Sequence, residues 1–432
     1  MNESSTNVPA GRGAVAVIGG GVAGLVASIT AAQAGAQVSL YEGAKKLGGR
    51  AFTTEHEGFY INMGPHALYL EGAAHRILGD LGVAVSGGAP VLEGTNAVFE
   101  GRKYRLPFSL KSIMFSRFLH VRDKMEVIGF YSKLPKLDAA SYRYVSQQTL
   151  VDDLCKRPRA RHFVNAMCRL GTYSNAPQYL SAEVMINQLL IGMGGVLYLD
   201  KGWNSLVKDL ADKARACGVN ILTGKKVKRI RKSGAGAQVL LGETVDAVFD
   251  AAIMCVAPGV VARICSDISQ IREIADNTIE IRAACLELAL NMSFKENSAF
   301  ALGMDEPTYF SVHSKAAKLA PGGAALVQAA LYLPVGGSGA TNARAKLEGL
   351  VSLMQPAWKD KLVHAIYRPQ ALVSHMLPTA TQGGLKGRPA TQLDTNLFVA
   401  GDWVGEEGLL SDAAVASAHL AAKKAVNTLA LN

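Results

Sequence analysis

Cysteine is scarce in this chain and unpaired in sequence. Cys155, Cys168, Cys217, Cys255, Cys265 and Cys285 form no C-x-x-C motif, and most have apolar neighbours. That excludes a disulfide framework or a zinc ribbon and describes reduced core residues of a cytosolic protein. No Ser-His-Asp grouping, metal-ligand spacing or paired carboxylate stands out, so hydrolytic and metal-assisted chemistry find no support. Internal repeats and low-complexity tracts are also missing. At 432 residues and 49% hydrophobic content, the chain is long enough for two compact domains. Residues 1–13, polar and patternless, are expected to be disordered.

Charge is absent from the run AVAVIGGGVAGLVASITAAQAGA, residues 14–36. Roughly twenty apolar residues cross a bilayer as a helix, so length alone permits a membrane span. The crowding of Gly19, Gly20, Gly21 and Gly24 opposes it, because consecutive glycines cost conformational entropy without serving the packing of a spanning helix. A signal peptide is a poor match too, since only Arg12 precedes the run and further helix formers follow its small residues. Taken in pieces, the run predicts a buried strand over 14–18, a glycine turn, and a helix from about 22 to 34 closed by Gly35.

What the chain has in excess is positive charge, +10 net, and it is concentrated. Nine Lys or Arg stand against Asp123 and Glu126 between Arg102 and Lys136, interleaved with Phe108, Ile113, Met114, Phe115, Phe118 and Leu119. Two readings are open. Segment 102–136 makes a peripheral contact with an anionic membrane, on its inner surface, or it forms helices that cover a substrate pocket and leave a basic face in solvent. KRPRAR at 156–161 and KKVKRIRK at 225–232 have no zinc, helix-turn-helix or RNA-module pattern beside them, so no nucleic-acid partner is expected. The sequence sets no oligomeric state.

Gly19-Gly20-Gly21-Val22-Ala23-Gly24 satisfies G-x-G-x-x-G in the context that gives the pattern meaning. It follows the predicted strand, opens the predicted helix, and is followed by Glu42 at the end of a second strand, 37–42. Gly19 permits the tight turn, Gly21 lets a pyrophosphate approach the backbone, and Gly24 lets helix and strand pack closely. The helix N-terminus offers free N–H groups to phosphate. Glu42 is suited to accept a hydrogen bond from a ribose 2′-hydroxyl and to repel a 2′-phosphate, which favours FAD or NAD over NADP.

Lys46-Leu47-Gly48-Gly49-Arg50 comes next, and with it the chain resembles the flavoproteins of the amine oxidase and phytoene desaturase superfamily. The resemblance implies an α/β fold. A Rossmann-like FAD-binding domain with a parallel sheet would be built from 14–102, 195–265 and 386–432, and a discontinuous α+β substrate-binding domain from 103–194 and 266–385. It implies that Gly49 lies near the phosphates and Arg50 toward the flavin, and that Gly64, Pro65 and His66 pass close to the isoalloxazine ring. Gly202 to Leu206 match a helix start of the family, and Val227, in the strand after it, matches its adenine-contacting valine. Gly401 and Asp402 match the acid-bearing motif at the ribityl or pyrophosphate region. The helix starting around Gly408, with Leu409 and Leu410, would turn its N-terminus to flavin O2.

Departures from the family pattern sharpen the expectation. No cysteine follows Cys285, so FAD is expected to be bound non-covalently. Several amine oxidases hold a water near flavin N5 with a lysine; Lys295 is the nearest candidate here, and a plain loop lysine is the alternative. The glycine turn over Val335 to Thr341 lacks the rest of a nucleotide fingerprint and reads as a loop. His66 and Asp412 are the catalytic candidates, set against a backbone-bonded histidine and an ordinary first-turn acid. Three functions fit: a desaturase or dehydrogenase acting on an apolar small molecule, an amine oxidase producing hydrogen peroxide, and a non-catalytic flavin-bound partner protein.

Overall fold

The computed structural model describes residues 13–91, 94–234, 236–294, 296–336 and 341–430. The expected disorder of the N-terminus (its first twelve residues), Lys295, and residues 337–340 of the second glycine turn lie outside them. The uncharged run resolves into the strand Ala14–Ile18, a turn, and the helix Val22–Gln33, with Gly35 at φ +94° just past its end. Among the described residues, no helix is long and apolar enough to cross a membrane.

The strand Ala14–Ile18 is central in a six-stranded sheet ordered 220–223, 37–42, 14–18, 251–254, 397–399, 392–394, parallel except for the last pair. Its composition follows from being covered on both faces. Val15 and Val17 join Leu40, Ile253 and Phe398 under the helices Val22–Gln33, Trp203–Ala216 and Leu410–Ala430. Ala14, Ala16 and Ile18 join Met254 and Val399 under a three-stranded antiparallel sheet, 229–233, 236–240 and 245–249. Two short strands follow one another here, Val245–Phe249 and Ala251–Met254. They break at Asp250, whose carboxylate accepts the Gly13 and Ala14 N–H groups at 2.8 and 2.9 Å.

A seven-stranded sheet forms the second half, ordered 362–374, 281–290, 325–332, 308–312, 300–303, 95–99, 102–105. On Ile281–Leu290 the even residues Ala284, Leu286, Leu288 and Leu290 pack on the helix Ala343–Met354, while Ala283 and Cys285 face a helical layer that includes Pro158–Thr172 and Ala182–Met193. The strand Thr95–Phe99, expected with the first domain, belongs here instead. It pairs in parallel with Phe300–Gly303 and turns through Glu100 and Gly101, both at positive φ, into Arg102–Arg105. Val227 differs too: it is buried in the loop before the strand Arg229–Ser233 rather than within a strand.

Candidate functional site

Steric detail explains three glycines of the first turn, Gly19, Gly21 and Gly24. A Cβ on Gly24 would stand 1.8 Å from the Gly19 carbonyl oxygen, and one on Gly19, at φ +107°, 2.6 Å from that of Cys255. No other residue type permits this approach of helix to strand. Gly21 is different: a Cβ there would find its nearest atom, the Gly48 oxygen, at 3.9 Å. Its backbone is bare, as contact with a pyrophosphate requires. The second turn is stitched to the first by the Gly48 N–H donating to Gly20 O at 2.8 Å. Gly48 and Gly49 sit at φ +120° and +53°. Ala23 is buried in the first turn of the helix. Glu42 lies against this floor, its two oxygens accepting the Gly20 and Ala44 N–H groups at 2.6 and 2.7 Å.

Arg50 reaches from there to the other end of the chain. Its guanidinium donates to Asp402 Oδ2 at 2.8 Å and to the Val373 carbonyl at 3.0 Å. His375 completes the grip, with N–H to Oδ2 at 3.1 Å and Nδ1 to Oδ1 at 2.8 Å. Asp402 is buried, which opposes ionisation, but Arg50 and His375 outweigh burial and hold its carboxyl far below the usual range. Gly401, at φ +154°, donates to Ser417 Oγ at 3.0 Å. The buried Arg388 ties the following loop by donating to the Asp402 and Gly408 carbonyls at 3.3 and 2.8 Å; burial lowers its guanidinium to about 10. The last helix then starts at Leu410, which holds φ +54°, beside the buried Leu409.

Gly64, Pro65 and His66 cross between the two sheets. A Cβ on Gly64, at φ +93°, would lie 3.2 Å from Cys285 Sγ and 4.0 Å from Glu287 Oε1. Pro65 is half-buried, as is His66, whose Nδ1 bonds the Gly64 carbonyl at 2.9 Å and whose ring lies 5.3 Å from that of Trp203. Desolvation first, then Arg50 and Arg368, disfavour its charged form, so the imidazole is neutral. Asp412 does not meet His66. It is buried at the start of the last helix and accepts the Ala74 N–H at 2.8 Å, capping the helix Ala73–Asp80.

Sequence reasoning missed a buried ion pair behind Gly64. Arg368 donates to Glu287 Oε2 at 2.6 Å, and Oε1 is turned toward Gly64. Burial pushes the Glu287 carboxyl up to about 7 although Arg368 opposes the shift. The available signal was a lone acid within the apolar stretch CLELALNM. His375 and Arg388 carried no such signal, because neither falls in a motif. Beyond His66, from Ala67 onward, opens a cavity of about 600 Å³ walled by Phe108, Ile113, Met167, Leu170, Leu189 and Phe300. Tyr69, Tyr173, Tyr198 and Tyr309 edge it with hydroxyls whose ionisation burial suppresses.

The carotenoid 3,4-desaturase of Haloarcula japonica is 53% identical over 51 residues, 12% of this chain and 10% of that protein. A 4,4′-diaponeurosporene oxygenase of Staphylococcus aureus is 26% identical over 283 residues, 56% of each chain. The chain therefore spans between a tenth and just over half the length of these curated relatives. A solved oxidoreductase from Methanosarcina mazei superposes with a TM-score of 0.74 at 16% identity, covering 95% of this chain and all of the other, which establishes a shared fold. The model of the flavin containing amine oxidoreductases matches residues 22–314, more than half of the chain, and the chain belongs to that family.

Proposed function

We propose that this chain is a FAD-dependent oxidoreductase of the desaturase or dehydrogenase type, taking a hydride from a C–H bond of a lipophilic small molecule. The observation that carries the proposal is the apolar cavity next to His66, whose charged group among the described lining residues is Lys315. A cationic amine in it would be buried without a counter-charge, at a cost of several kcal/mol or about that. A neutral apolar substrate fits better than the amine of the alternative, an amine oxidase. The printed names of the Haloarcula and Staphylococcus relatives support the same substrate class.

FAD, when bound, supplies the hydride acceptor. The bare backbone at Gly21 and the carboxylate of Glu42 fit its pyrophosphate and ribose, and Gly19, Ala23, Gly24 and Val227 complete the adenosine side. Gly49, Arg50, Gly401 and Asp402 would hold the middle, and Gly64, Pro65, Leu409 and Leu410 the ring end. Cys285 supports non-covalent attachment: it packs on Gly64, yet burial keeps its thiol protonated and unreactive. His66, neutral and anchored through Nδ1, positions the Gly64 segment, and the apolar walls exclude water. The proposal places the protein in the cytoplasm with a peripheral membrane contact through part of 102–136.

Purified protein should show an oxidised-flavin spectrum, release FAD on acid precipitation, and bleach anaerobically with polyenes or other lipophilic substrates but not with amines. Bleaching by amines, with hydrogen peroxide formed when oxygen returns, would select the amine oxidase instead. A flavoprotein bleached by neither is a non-catalytic one. Colourless protein that takes up no FAD would sink the cofactor assignment.

A further inference from the structure

Three hydroxyl groups gather on one wall of the cavity, those of Tyr198, Tyr309 and Ser311, with the buried His313 beside them. In the strand Thr308–Val312 alternation puts Tyr309 and Ser311 on one face, and His313 follows in a short turn over His313–Lys315. Tyr198 comes from the strand Val196–Leu199, which pairs with Leu68–Tyr69, just past His66. Its ring stacks on that of His313, with centroids 3.9 Å apart and planes 8° from parallel. Tyr309 Oη lies 2.9 Å from His313 Nε2 and 3.2 Å from Tyr198 Oη, and Ser311 meets both phenols.

The direction of these hydrogen bonds follows from the end of the line. His313 Nδ1 is buried and has no hydrogen-bond partner among the described residues. Burial keeps the ring neutral, so one nitrogen carries a hydrogen and the other a lone pair. A hydrogen on Nδ1 would be an orphaned buried donor, which folded proteins tolerate less than an orphaned acceptor. The hydrogen therefore belongs on Nε2, which donates to Tyr309, and Tyr309 donates to Tyr198. The hydrogen of Tyr198 is left for the cavity, with the Ser311 hydroxyl beside it. No charge stands at this wall: Lys315, which also lines the cavity, holds its ammonium 5.4 Å from the ring of Phe294, in a neighbouring groove.

We propose that Tyr198 and Ser311, backed by Tyr309 and His313, form a subsite for one neutral acceptor oxygen, so that the cavity takes lipophilic molecules carrying a carbonyl or hydroxyl group. The proposal rests on the cavity being the site of a lipophilic substrate. A carbonyl oxygen has two lone pairs and accepts both hydrogens. A hydrocarbon leaves them unpaired, and an alkylammonium brings only donors to a place that has hydrogens to give. A carboxylate would be buried there without a counter-charge. Apolar walls alone give a long chain no fixed position, whereas a few placed polar groups orient it. Because the Tyr198 strand pairs with the segment after His66, an oxygen held here also sets which stretch of the molecule lies toward Gly64.

The test is ligand binding by the FAD-loaded protein, read as perturbation of the flavin spectrum and as a rise in melting temperature. The probes have matched chains: octane, methyl hexyl ketone, octylamine and octanoate. Tyr198→Phe with Ser311→Ala should weaken the ketone by about tenfold and leave octane unchanged, because only the ketone loses hydrogen bonds. Should that pair not fold, Ser311→Ala alone should weaken the ketone by about threefold. Tyr309→Phe breaks the line behind Tyr198 and should act on the ketone in the same direction. Variants that weaken ketone and octane alike have lost cavity shape and not a hydrogen bond, and would overturn the proposal. So would a ketone held by the double variant as tightly as by wild type. Octylamine bound more tightly than the ketone would reverse the donor direction and overturn both this subsite and the substrate class above. Anaerobic bleaching by a lipophilic substrate reads the proposed function separately: bleaching retained with equal loss of ketone and octane removes the subsite alone.

Discussion

Two buried carboxylates on either side of the Gly64 segment are treated in opposite ways. Asp402, on the dinucleotide side, has Arg50 on one oxygen and His375 reaching both, and it is ionised far below the usual range. Glu287, on the sheet behind the cavity, has Arg368 on one oxygen only, and burial lifts it from the ordinary 4.5 to about 7. Both are almost completely removed from water, so desolvation alone does not separate them; the number of donors does. One half of the molecule fixes a charge where the two ends of the chain meet at Arg50 and Asp402. The other half keeps its histidines and phenols neutral around an apolar cavity and raises Glu287 toward neutrality, with His313 lowered to about 3 by burial and by His66.

The largest way to break the contrast is Asp402→Asn. It leaves Arg50 and His375 facing a neutral amide; because Arg50 is 38% exposed and keeps part of its hydration, the cost falls below the about 3 to 5 kcal/mol of breaking a fully buried pair. Thermal unfolding should show that loss, together with poor FAD retention on gel filtration. The pH dependence has a definite sign. A depressed folded value means that the contribution of Asp402 is fully present above the ordinary carboxylate range, about pH 4, and is lost as pH falls below it. The Asn variant should therefore differ most from wild type at neutral pH and converge on it in acid. A constant difference at all pH values would show that charge is not what Asp402 contributes.

Glu287→Gln sharpens the other side, with an opposite sign. A raised folded value means the folded chain binds more protons than the unfolded chain between pH 4.5 and about 7, so stability falls as pH rises through that window. The difference amounts to something on the order of 3 kcal/mol. Gln keeps an acceptor for Arg368 but does not titrate, so the slope of melting temperature against pH over that range should flatten. An unchanged slope would assign the pH dependence to other groups, of which Asp412 is the first to examine.

These two acids also mark where the chain was and was not legible from sequence. Glu42, Gly24 and Asp402 belong to a site built from backbone approach and a few fixed charges, and such constraints leave residue types at set spacings. The parallel sheet was readable for a similar reason, since a strand covered on both faces has to be apolar throughout, as Ala14–Ile18 is. The substrate side imposes only volume and neutrality, which many residues satisfy. Glu287 and Arg368 are 81 positions apart and meet through strand pairing, which spacing does not reveal. The strand Thr95–Phe99 was misplaced because its partner strand, 300–303, is distant in sequence and pairs with it in parallel. Exposure of Phe115 and burial of Phe118, three positions apart, likewise depend on the helix start at Val121 and not on composition.

The smallest expected effect concerns Asp412, whose two proposed roles separate cleanly. Burial raises its carboxyl from 3.8 to about 6, against the opposing Ala74 N–H, and one oxygen caps the helix Ala73–Asp80. A Cβ on Gly72 would lie 2.4 Å from that oxygen, so the cap is tightly housed. As a cap, Asp412→Asn keeps an acceptor and has no charge to desolvate, so at pH 7 it should melt no lower than wild type, with the flavin bleaching rate unchanged. Asp412→Ala removes the acceptor and should cost about 1 kcal/mol of stability, again with little change in bleaching rate. As a proton-transferring residue it would behave in reverse, with the Asn variant stable but its bleaching rate down by orders of magnitude. The occupied oxygen favours the cap. Under the proposed function, the cavity would then rely on positioning by His66 and the surrounding walls, and Glu287 is the buried acid that reaches the Gly64 backbone, 4.0 Å from a Cβ placed there.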